Sequence, residues 1–381
     1  MALIKFFEST DAGAPTLNNA VGSMIAVLDA CLITGYNTKS ITSITVASGV
    51  ATVVCTAHAY ANTYGKDIRI AGATGSFTAL NKDTNIANVT TNGFTFLCPG
   101  VVDGAATGTL TAKYAPLDWT KQFTGTNKAI YKRGNVTATG CMLRVDDMLT
   151  GQYARVAMVE SATDVDTYTN HSPTTAQVGD AFGQFWMKGY DSATPAAWVL
   201  ISDGLLFYFF TKASASVTHH LAHVFGDVQS FKPSDVLNCV IGGGIQSNGN
   251  STPLYGLPTA RSFVIAGGKN GVTKSQAVMP YAKNSGYGVS DGGTYPSDVD
   301  GGLVISYPVL LPEGSDTSHI RGILPGLAIP LSSIATTFSS KSQISNIVGT
   351  PKTFIVFSTV SIVSGITAIN APLIDLTGPW R

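Results

Sequence analysis

The sequence contains a match to the nucleophile elbow of serine hydrolases at Gly288–Gly292 (GVSDG). That motif exposes a serine Oγ only where a buried strand turns sharply into a helix. Here Tyr287 and a further Gly-rich stretch flank the match, and they indicate neither element. A chance match in a loop rich in Gly and Ser is therefore favoured over a catalytic serine.

His219, His220 and His223 form the only histidine cluster in the sequence. A zinc-binding helix of the H-E-x-x-H type requires a glutamate after the first histidine, and His220 occupies that position. The flanking residues favour a strand, which would send His219 and His223 to one face and His220 to the other. We therefore predict polar contacts at the surface or between subunits, and no metal site.

Acidic residues offer two further kinds of site. Asp164–Asp166 and Asp298–Gly301 are reminiscent of calcium loops, but neither has the glycine and glutamate that an EF-hand needs at its sixth and twelfth positions. Asp146, Asp147 and Glu160 could supply a glycosidase carboxylate pair, yet nothing in the sequence fixes their separation. The sequence thus predicts no catalytic residue, no metal and no cofactor, and hence no enzyme.

The five cysteines are odd in number, widely spread and without a C-x-x-C pair. They are Cys31, Cys55, Cys98, Cys141 and Cys239. This pattern favours reduced, buried thiols in a protein made in a cytosol, and one bridging pair remains open. Lys5 and Glu8 interrupt the apolar start, so we expect no signal peptide, and apolar runs are too short for a membrane span.

Composition points to an assembly component. The chain has 381 residues, 23 basic and 23 acidic, so its net charge is zero and its charged fraction is only 12%. A zero net charge provides no electrostatic footprint for nucleic acid. Its hydrophobic fraction of 44% argues against disorder. A free-standing soluble domain usually carries net charge, whereas a subunit packed against its neighbours does not need it.

The elements that would position these residues are mostly strands. The 40 glycines, together with abundant Thr and Ser, are typical of short strands joined by tight turns, so the predicted fold class is mainly β. One helical pattern lies within residues 14–35, and its apolar stripe must dock on the main body or on another subunit. The candidate subunit contacts on this stripe are Leu17, Val21, Ile25, Leu28 and Leu32.

We predict three segments along the chain. They are an N-terminal helical docking segment (1–39), a small β-barrel or sandwich module (40–114) and a large β-sandwich-like body (115–381). Within the module, alternation around Ser48-Gly49 indicates a hairpin. Within the body, residues 242–300 read as a long loop rich in Gly, Asn, Ser and Tyr, a second candidate contact with neighbouring subunits.

Short motifs spread over nearly the whole chain carry one further signal. They are Phe6–Pro15 (FFESTDAGAP), Gly22–Leu32 (GSMIAVLDACL), Gly35-Tyr36, Trp119–Tyr131 (WTKQFTGTNKAIY), Leu143–Asp147 (LRVDD), Ala222–Pro233 (AHVFGDVQSFKP), Ile320–Leu331 (IRGILPGLAIPL) and Asp375–Arg381 (DLTGPWR). Together they resemble a group of virion structural proteins of tailed bacteriophages and related prophages. The resemblance implies a tail- or baseplate-associated component and gives residues 40–114 the character of a variable β insertion. None of the motifs is catalytic.

The expected function is that of a structural subunit of a bacteriophage virion, in the tail, baseplate or neck. Such a subunit would be assembled in the bacterial host cytoplasm. Its partners would be other virion proteins and copies of itself in a symmetric ring, with no nucleic acid and no membrane span. Two alternatives stay open. One is a head-decoration or head-fibre protein, and the other is a carbohydrate-binding receptor protein of the host-contact apparatus, whose partner would be a host-surface glycan.

Overall fold

Strands dominate the regular structure, so the predicted mainly β fold class is confirmed. A computed structural model of the chain describes residues 4–381 except 173–183, 192, 213–214, 217, 248–249, 256–262, 267–273, 277–294, 297–300, 314–315, 331–333, 335–336, 348 and 364–365. The helical elements among these residues are α1 (Ser23–Asp29), a π-helical turn that continues it (Ala30–Thr34) and a 3-10 helix (Gly75–Leu80).

The N-terminal helix is shorter than residues 14–35, so that boundary was wrong. Leu17 forms an isolated β-bridge with Ala196. Gly22 then adopts a left-handed conformation (φ 82°), which an α-helix cannot contain, so α1 begins only at Ser23. The π-helical turn ends where the predicted range ends, because Gly35 (φ 69°) follows its last residue. Upstream of Ser23 the apolar spacing therefore does not mark a helix face: Leu17 is buried in its bridge to Ala196, whereas Val21 is exposed.

Residues 36–114 form two antiparallel sheets, and the predicted hairpin is confirmed. Its turn residues Ser48 (φ 50°) and Gly49 (φ 75°) are both left-handed, as a two-residue hairpin turn requires. One sheet has the order β2 (Tyr36–Ser40), β10 (Thr107–Tyr114), β5 (Ile68–Thr74) and β6 (Asp83–Thr84). The other has the order β7 (Ala87–Thr90), β8 (Gly93–Leu97), β4 (Val50–Val54), β3 (Ser43–Ala47) and β9 (Gly104–Ala105).

The body is built around a central sheet and a second sheet that packs on it. Among the described residues the central sheet runs β1 (Lys5–Glu8), β18 (Trp198–Ser202), β19 (Leu206–Lys212), β20 (His220–Asp227), β22 (Cys239–Gly242), β25 (Phe263–Ala266) and β26 (Lys274–Gln276), with β33 (Thr359–Val363) beside β20 and β34 (Ile366–Asn370) beside β33. The second sheet runs β11 (Thr120–Gly125), β12 (Lys128–Lys132), β13 (Met142–Asp146), β14 (Tyr153–Val159), β17 (Gln184–Met187), β23 (Gly244–Ser247) and β24 (Asn250–Tyr255).

Smaller sheets complete the body. One contains β21 (Gln229–Ser230), β29 (Asp316–Leu324) and β28 (Val309–Glu313). Another contains β27 (Ile305–Ser306), β30 (Leu327–Pro330), β35 (Leu373–Asp375), β32 (Phe354–Val356) and β31 (Gln343–Ile344). A short hairpin pairs β15 (Ser161–Ala162) with β16 (Tyr168–Thr169).

The central sheet is covered on both faces. On one face, the ring of Trp186 from the second sheet lies 6.1 Å from that of Phe207. On the other face, Phe210 stacks at 3.8 Å on Phe357, beside the smaller sheets. Residues 206–210 are therefore all buried, which explains their unbroken apolar run. The body is β-sandwich-like, as predicted, with a further layer on its outer side.

The segment 242–300 is only partly a loop. Its described residues include the four strands β23, β24, β25 and β26, so the loop interpretation was wrong for these residues. They extend the two large sheets of the body. Most of the remaining segment lies outside the described residues, and this includes Gly288–Gly292, Asp298 and Asp300.

Candidate functional site

The predicted subunit-contact stripe lies mostly inside the protomer. Leu17, Leu28 and Leu32 have no exposed surface, and Ile25 is also buried, all within the large core shared by the module and the body. Val21 alone is 39% exposed. The contacts that the four buried side chains make in the protomer are thus intramolecular. A role in subunit contact remains a prediction, and Val21 is the member that can make such a contact without rearrangement.

A buried ion pair holds the start of α1 against the body. The backbone N–H of Met24 donates to Oδ2 of Asp147 (2.8 Å), and Nζ of Lys188 donates to Oδ1 (2.5 Å). Both charged side chains are completely buried. Lys188 also donates to the carbonyls of Ala20 (3.0 Å) and Leu149 (3.2 Å). Burial raises the pKa of Asp147, and Lys188 and the helix N–H groups oppose that shift.

The other end of the helix is tied to the second sheet. Asp29 accepts hydrogen bonds from Nζ of Lys121 (2.6 Å) and from the hydroxyl of Tyr131 (2.8 Å). The backbone N–H of Trp119 donates to the carbonyl of Leu32 (2.9 Å). The N-terminal segment therefore docks on this chain's own body, one of the two possibilities that the sequence left open.

The histidines lie as the predicted strand requires, but not at the surface. His220 and His223 occupy opposite faces of β20, and both are at most 2% exposed. His223 binds the carbonyl of Gly243 and Oγ1 of Thr211 (3.2 Å). The predicted surface or inter-subunit contact was therefore wrong for these two residues. His219 is half-buried, with Nδ1 2.8 Å from Oγ of Ser358.

Burial makes His223 a source of acid sensitivity. Desolvation lowers its pKa to about 3, whereas a histidine in an unfolded chain titrates near a pKa of about 6.5. The unfolded state therefore binds the proton first, so the stability present above pH 6.5 is lost as the pH falls toward 3, by about 1.4 kcal/mol per unit. We expect chemical denaturation at pH 4.5 to show a loss of about 2.5 kcal/mol from this residue. The variant His223→Gln should flatten the pH slope, and an unchanged slope would contradict this assignment.

The other chemical candidates are engaged in structural contacts. Asp164 Oδ1 accepts a hydrogen bond from the backbone N–H of Asp166 (3.1 Å), a local contact that stabilises the turn. Oδ2 of Asp146 lies 3.5 Å from Nη2 of Arg144 in an ion pair. Oε2 of Glu160 accepts a hydrogen bond from Nδ2 of Asn170 (2.9 Å). Nowhere in the described part of the chain do three His, Cys, Asp or Glu side chains form a group that could hold a metal ion.

A cleft of about 410 Å³ opens at one end of the sandwich. Its lining residues are Thr137, Ala138, Thr139, Gly140, Ser234, Asp235, Val236 and Asn238. Asp235 is bound in bidentate fashion by Arg321 (2.7 and 2.8 Å), and this contact holds its pKa below the usual range although burial acts in the opposite direction. Because this carboxylate is committed to an arginine, it is a poor general acid or base.

A second surface feature is the solvent-facing side of the module sheet β8-β4-β3. We call it the outer module face. It consists of three cross-strand rows, Ser43–Val54–Gly93, Thr45–Thr52–Thr95 and Ala47–Val50–Leu97. None of the nine residues is charged, and Leu97 is 73% exposed. The alternate residues of these strands point into the core, so the period of two fixes which side chains face outward.

The opposite sheet of the module has a different outer side. Arg69 and Lys113 are cross-strand partners there, and Arg69 binds Asp83 (2.6 Å) and Asp118 (2.6 Å). A solvated β surface normally carries charges of this kind. The outer module face lacks them, and this contrast within one module makes it a candidate interface.

Several basic residues are buried in ion pairs inside the protomer. Lys66, Arg133, Arg144, Lys188 and Arg321 are each at most 6% exposed. Their acidic partners are Asp11, Asp227, Asp166, Asp147 and Asp235. Because charges are scarce in this sequence, burying these five basic side chains leaves the surface poorer still in charge. The sequence did not reveal the outer module face or these pairs, since both depend on the three-dimensional register.

Comparison with known proteins adds no relative. No protein-family model matches the chain, and no curated protein matches it. In the described part of the chain, no helix is long and apolar enough to cross a membrane.

Proposed function

We propose that the chain is a structural subunit of a bacteriophage virion, in the tail, baseplate or neck, and that it acts through subunit contacts. The observation that carries this proposal is the outer module face. Its exposed Leu, Val, Ala and Thr side chains offer no ion pairing to a charged partner, and their burial would release water from apolar surface. The occupant that we propose for this face is a neighbouring copy of the same chain, since repeated copies close into rings.

The segments behind the resemblance to phage virion proteins support the same proposal. Although they are far apart in sequence, they contact one another in the fold. The contacts are Met24 with Asp147, the ring of Trp119 with that of Phe225 (6.0 Å), Arg381 with the carbonyl of Asp227 (2.9 Å), and Trp380 with Gly326. Residues 40–114 instead supply all the strands of the two module sheets except β2, of which they contribute only Ser40. This arrangement is what we expect if the motif segments form the body that such virion proteins share and residues 40–114 are a module inserted into it.

A matched pair of variants tests the proposed interface. Thr52→Lys places a charge at the centre of the outer module face, and Thr111→Lys places the same charge in mid-strand on the opposite sheet. We expect both variants to keep the melting temperature of the parent, because neither position is buried. Only Thr52→Lys should lower incorporation into particles, measured by quantitative immunoblotting of purified virions. Equal incorporation of the two variants into particles would contradict the proposal that the outer module face is a subunit interface.

The two alternatives differ from this proposal in measurable ways. A head-decoration protein would be present in far more copies per particle than a tail or neck ring. A glycan receptor usually stacks sugars on aromatic side chains, and the cleft lining described above contains Thr, Ala, Gly, Ser, Asp, Val and Asn. The cleft therefore does not favour the glycan alternative.

A further inference from the structure

A lysine, an aspartate and a glutamate meet where the N-terminal segment contacts the module. Nζ of Lys66 lies 2.6 Å from Oδ1 and 2.7 Å from Oδ2 of Asp11. Oε1 of Glu8 lies 3.2 Å from the same Nζ. The side chains of Lys66, Asp11 and Glu8 are 1%, 4% and 17% exposed. One buried amine thus faces two carboxylates, and because it contacts both oxygens of Asp11, it also lies close to the carboxyl carbon that joins them.

The backbone holds these side chains from both sides. The N–H of Phe6 donates to the carbonyl of Gly65 (2.8 Å), so β1 is bound to the residue before Lys66. Gly65 is left-handed (φ 73°), and a Cβ atom there would lie 2.9 Å from the nitrogen of Phe6. The N–H of Asp11 donates to the carbonyl of Glu8 (3.0 Å), which closes a turn between the two acidic residues. The fold itself therefore brings the three charged side chains together.

The two oxygens of Asp11 have different surroundings. Oδ2 accepts hydrogen bonds from the hydroxyl of Tyr36 (2.6 Å) and from the backbone N–H of Glu8 (3.0 Å). Burial raises the pKa of Tyr36 well above its usual value, so this hydroxyl keeps the proton that it donates. Two donors on one oxygen stabilise the negative charge that forms there when a nucleophile adds to the carbon. Oδ2 is therefore placed to become an amide carbonyl, and Oδ1 is placed to leave.

Aromatic rings surround the amine. Nζ of Lys66 lies 4.5 Å from the ring centroid of Phe6 and 6.0 Å from that of Tyr114. Opposite charges are thus kept in surroundings where burying charge is costly, and an amide in their place would carry none. Burial acts to raise the pKa of Glu8, but Lys66 and Lys341 together lower it. Glu8 is therefore a carboxylate that can accept a proton from the amine.

We propose that Lys66 and Asp11 join in an isopeptide bond, an amide between Nζ and Cγ, with Glu8 as the proton relay. Nζ first passes one proton to Oδ1 through their hydrogen bond, and its lone pair then attacks Cγ. Glu8 takes a second proton from the nitrogen while Oδ2 carries the negative charge. Glu8 returns that proton to Oδ1, the Cγ–Oδ1 bond breaks, and the C=O bond to Oδ2 re-forms. In sum, one ammonium and one carboxylate give one amide and one water, with no change in oxidation state.

The buried pair of Lys188 and Asp147 lacks the third group. Among the described residues, Asp147 is the only carboxylate within ion-pair distance of Lys188. No second carboxylate is therefore in place to move a proton from the nitrogen to the departing oxygen. We expect one isopeptide bond in the described part of the chain, at Lys66, and an unmodified ion pair at Lys188.

The isopeptide bond would tie the N-terminal segment covalently to the module. Lys66 and Asp11 are 55 residues apart, and a closed loop of this length restricts the unfolded chain. The loop contains α1 and the strands β2, β3 and β4. This chemistry belongs to the isolated chain, so it does not depend on the proposed virion function.

The intact mass of the purified full-length protein, measured after denaturation, tests the proposal. We expect a mass lower than that of the sequence by one water molecule. Digestion with trypsin should release a branched peptide that joins Lys66 to Asp11, since trypsin does not cleave after an acylated lysine. A protein with the full mass of its sequence, whose Lys66 reacts with acetic anhydride after unfolding, would overturn the proposal.

Three variants locate the chemistry. Lys66→Arg keeps a positive charge but offers a poor nucleophile, so it should show no loss of water. Glu8→Gln should slow formation of the bond about 100-fold or more, because it removes the proton relay. Lys5→Arg alters the lysine of β1 that pairs with Asp83, and it should keep the branched peptide.

Two further outcomes would count against the site. A loss of water confined to one linear peptide, as cyclisation at an Asp-Gly step gives, would overturn the isopeptide bond. A Glu8→Gln protein that forms the bond as fast as the parent would overturn the role of Glu8. None of these outcomes bears on whether the chain is a virion subunit.

Discussion

Replacing Leu28 with aspartate should prevent the protomer from folding. Leu28 has no exposed surface, and α1 carries it into the core shared by the module and the body. Truncating a buried leucine to alanine already costs about 2–5 kcal/mol. An unpaired carboxylate at the same place costs several kcal/mol more. The sum of the two costs is comparable to the total stability of a typical domain, about 5–15 kcal/mol. Leu28→Asp should therefore yield insoluble or unfolded protein, as judged by soluble yield and circular dichroism.

Val21→Asp is the matched control on the same stripe. Val21 is partly exposed. This substitution should therefore change the free energy of unfolding by only about 0.5 kcal/mol. A Leu28→Asp protein that folds normally and fails only in particle assembly would contradict the internal docking of α1. It would instead restore the stripe as a subunit contact, so the pair of variants decides between the two roles that the sequence left open.

The second large effect is expected at the buried ion pair of Asp147 and Lys188. The variant Lys188→Met removes the ammonium and leaves a buried carboxylate without its counter-ion. Breaking one side of a buried pair typically costs about 3–5 kcal/mol. The carbonyls of Ala20 and Leu149 lose a donor in the same step. Urea denaturation at neutral pH should show this loss as a lower midpoint with an unchanged slope.

A double-mutant cycle separates the pair from its neighbours. The variant Asp147→Asn removes the charge but keeps an oxygen that can accept from the N–H of Met24. The double variant Lys188→Met/Asp147→Asn carries no unpaired charge, so its loss should be smaller than the sum of the two single losses. We expect the free energy of unfolding lost in the double variant to be smaller than the sum of the two single losses by about 1–3 kcal/mol. Strict additivity would show that the two charges do not stabilise each other.

How far the sequence predicts this fold depends on how local each signal is. The hairpin around Ser48 and Gly49 was predicted because both its alternation and its turn lie within twelve residues of sequence. The apolar run of strand β19 is a local signal as well, and burial on both faces explains that run. The helix over 14–35 was predicted too long, because the bridge of Leu17 with Ala196 is not visible in local periodicity.

The candidate sites were less predictable than the strands. Alternation marks Thr45 and Thr52 as facing away from the core, but only the strand register places Thr95 beside them in one row. Lys188 and Asp147 are 41 residues apart, and no local pattern pairs them. Such sites arise from tertiary structure and leave little trace in a single sequence.

The most direct test of the virion proposal is electron microscopy of particles released by the bacterial host, labelled with a gold-conjugated antibody raised against this chain. The proposal predicts gold at the tail end or at the neck, with a few or about a dozen copies per particle, as closed rings contain. Label spread over the head would favour the decoration protein instead. Intact particles that carry no label would contradict the virion function itself.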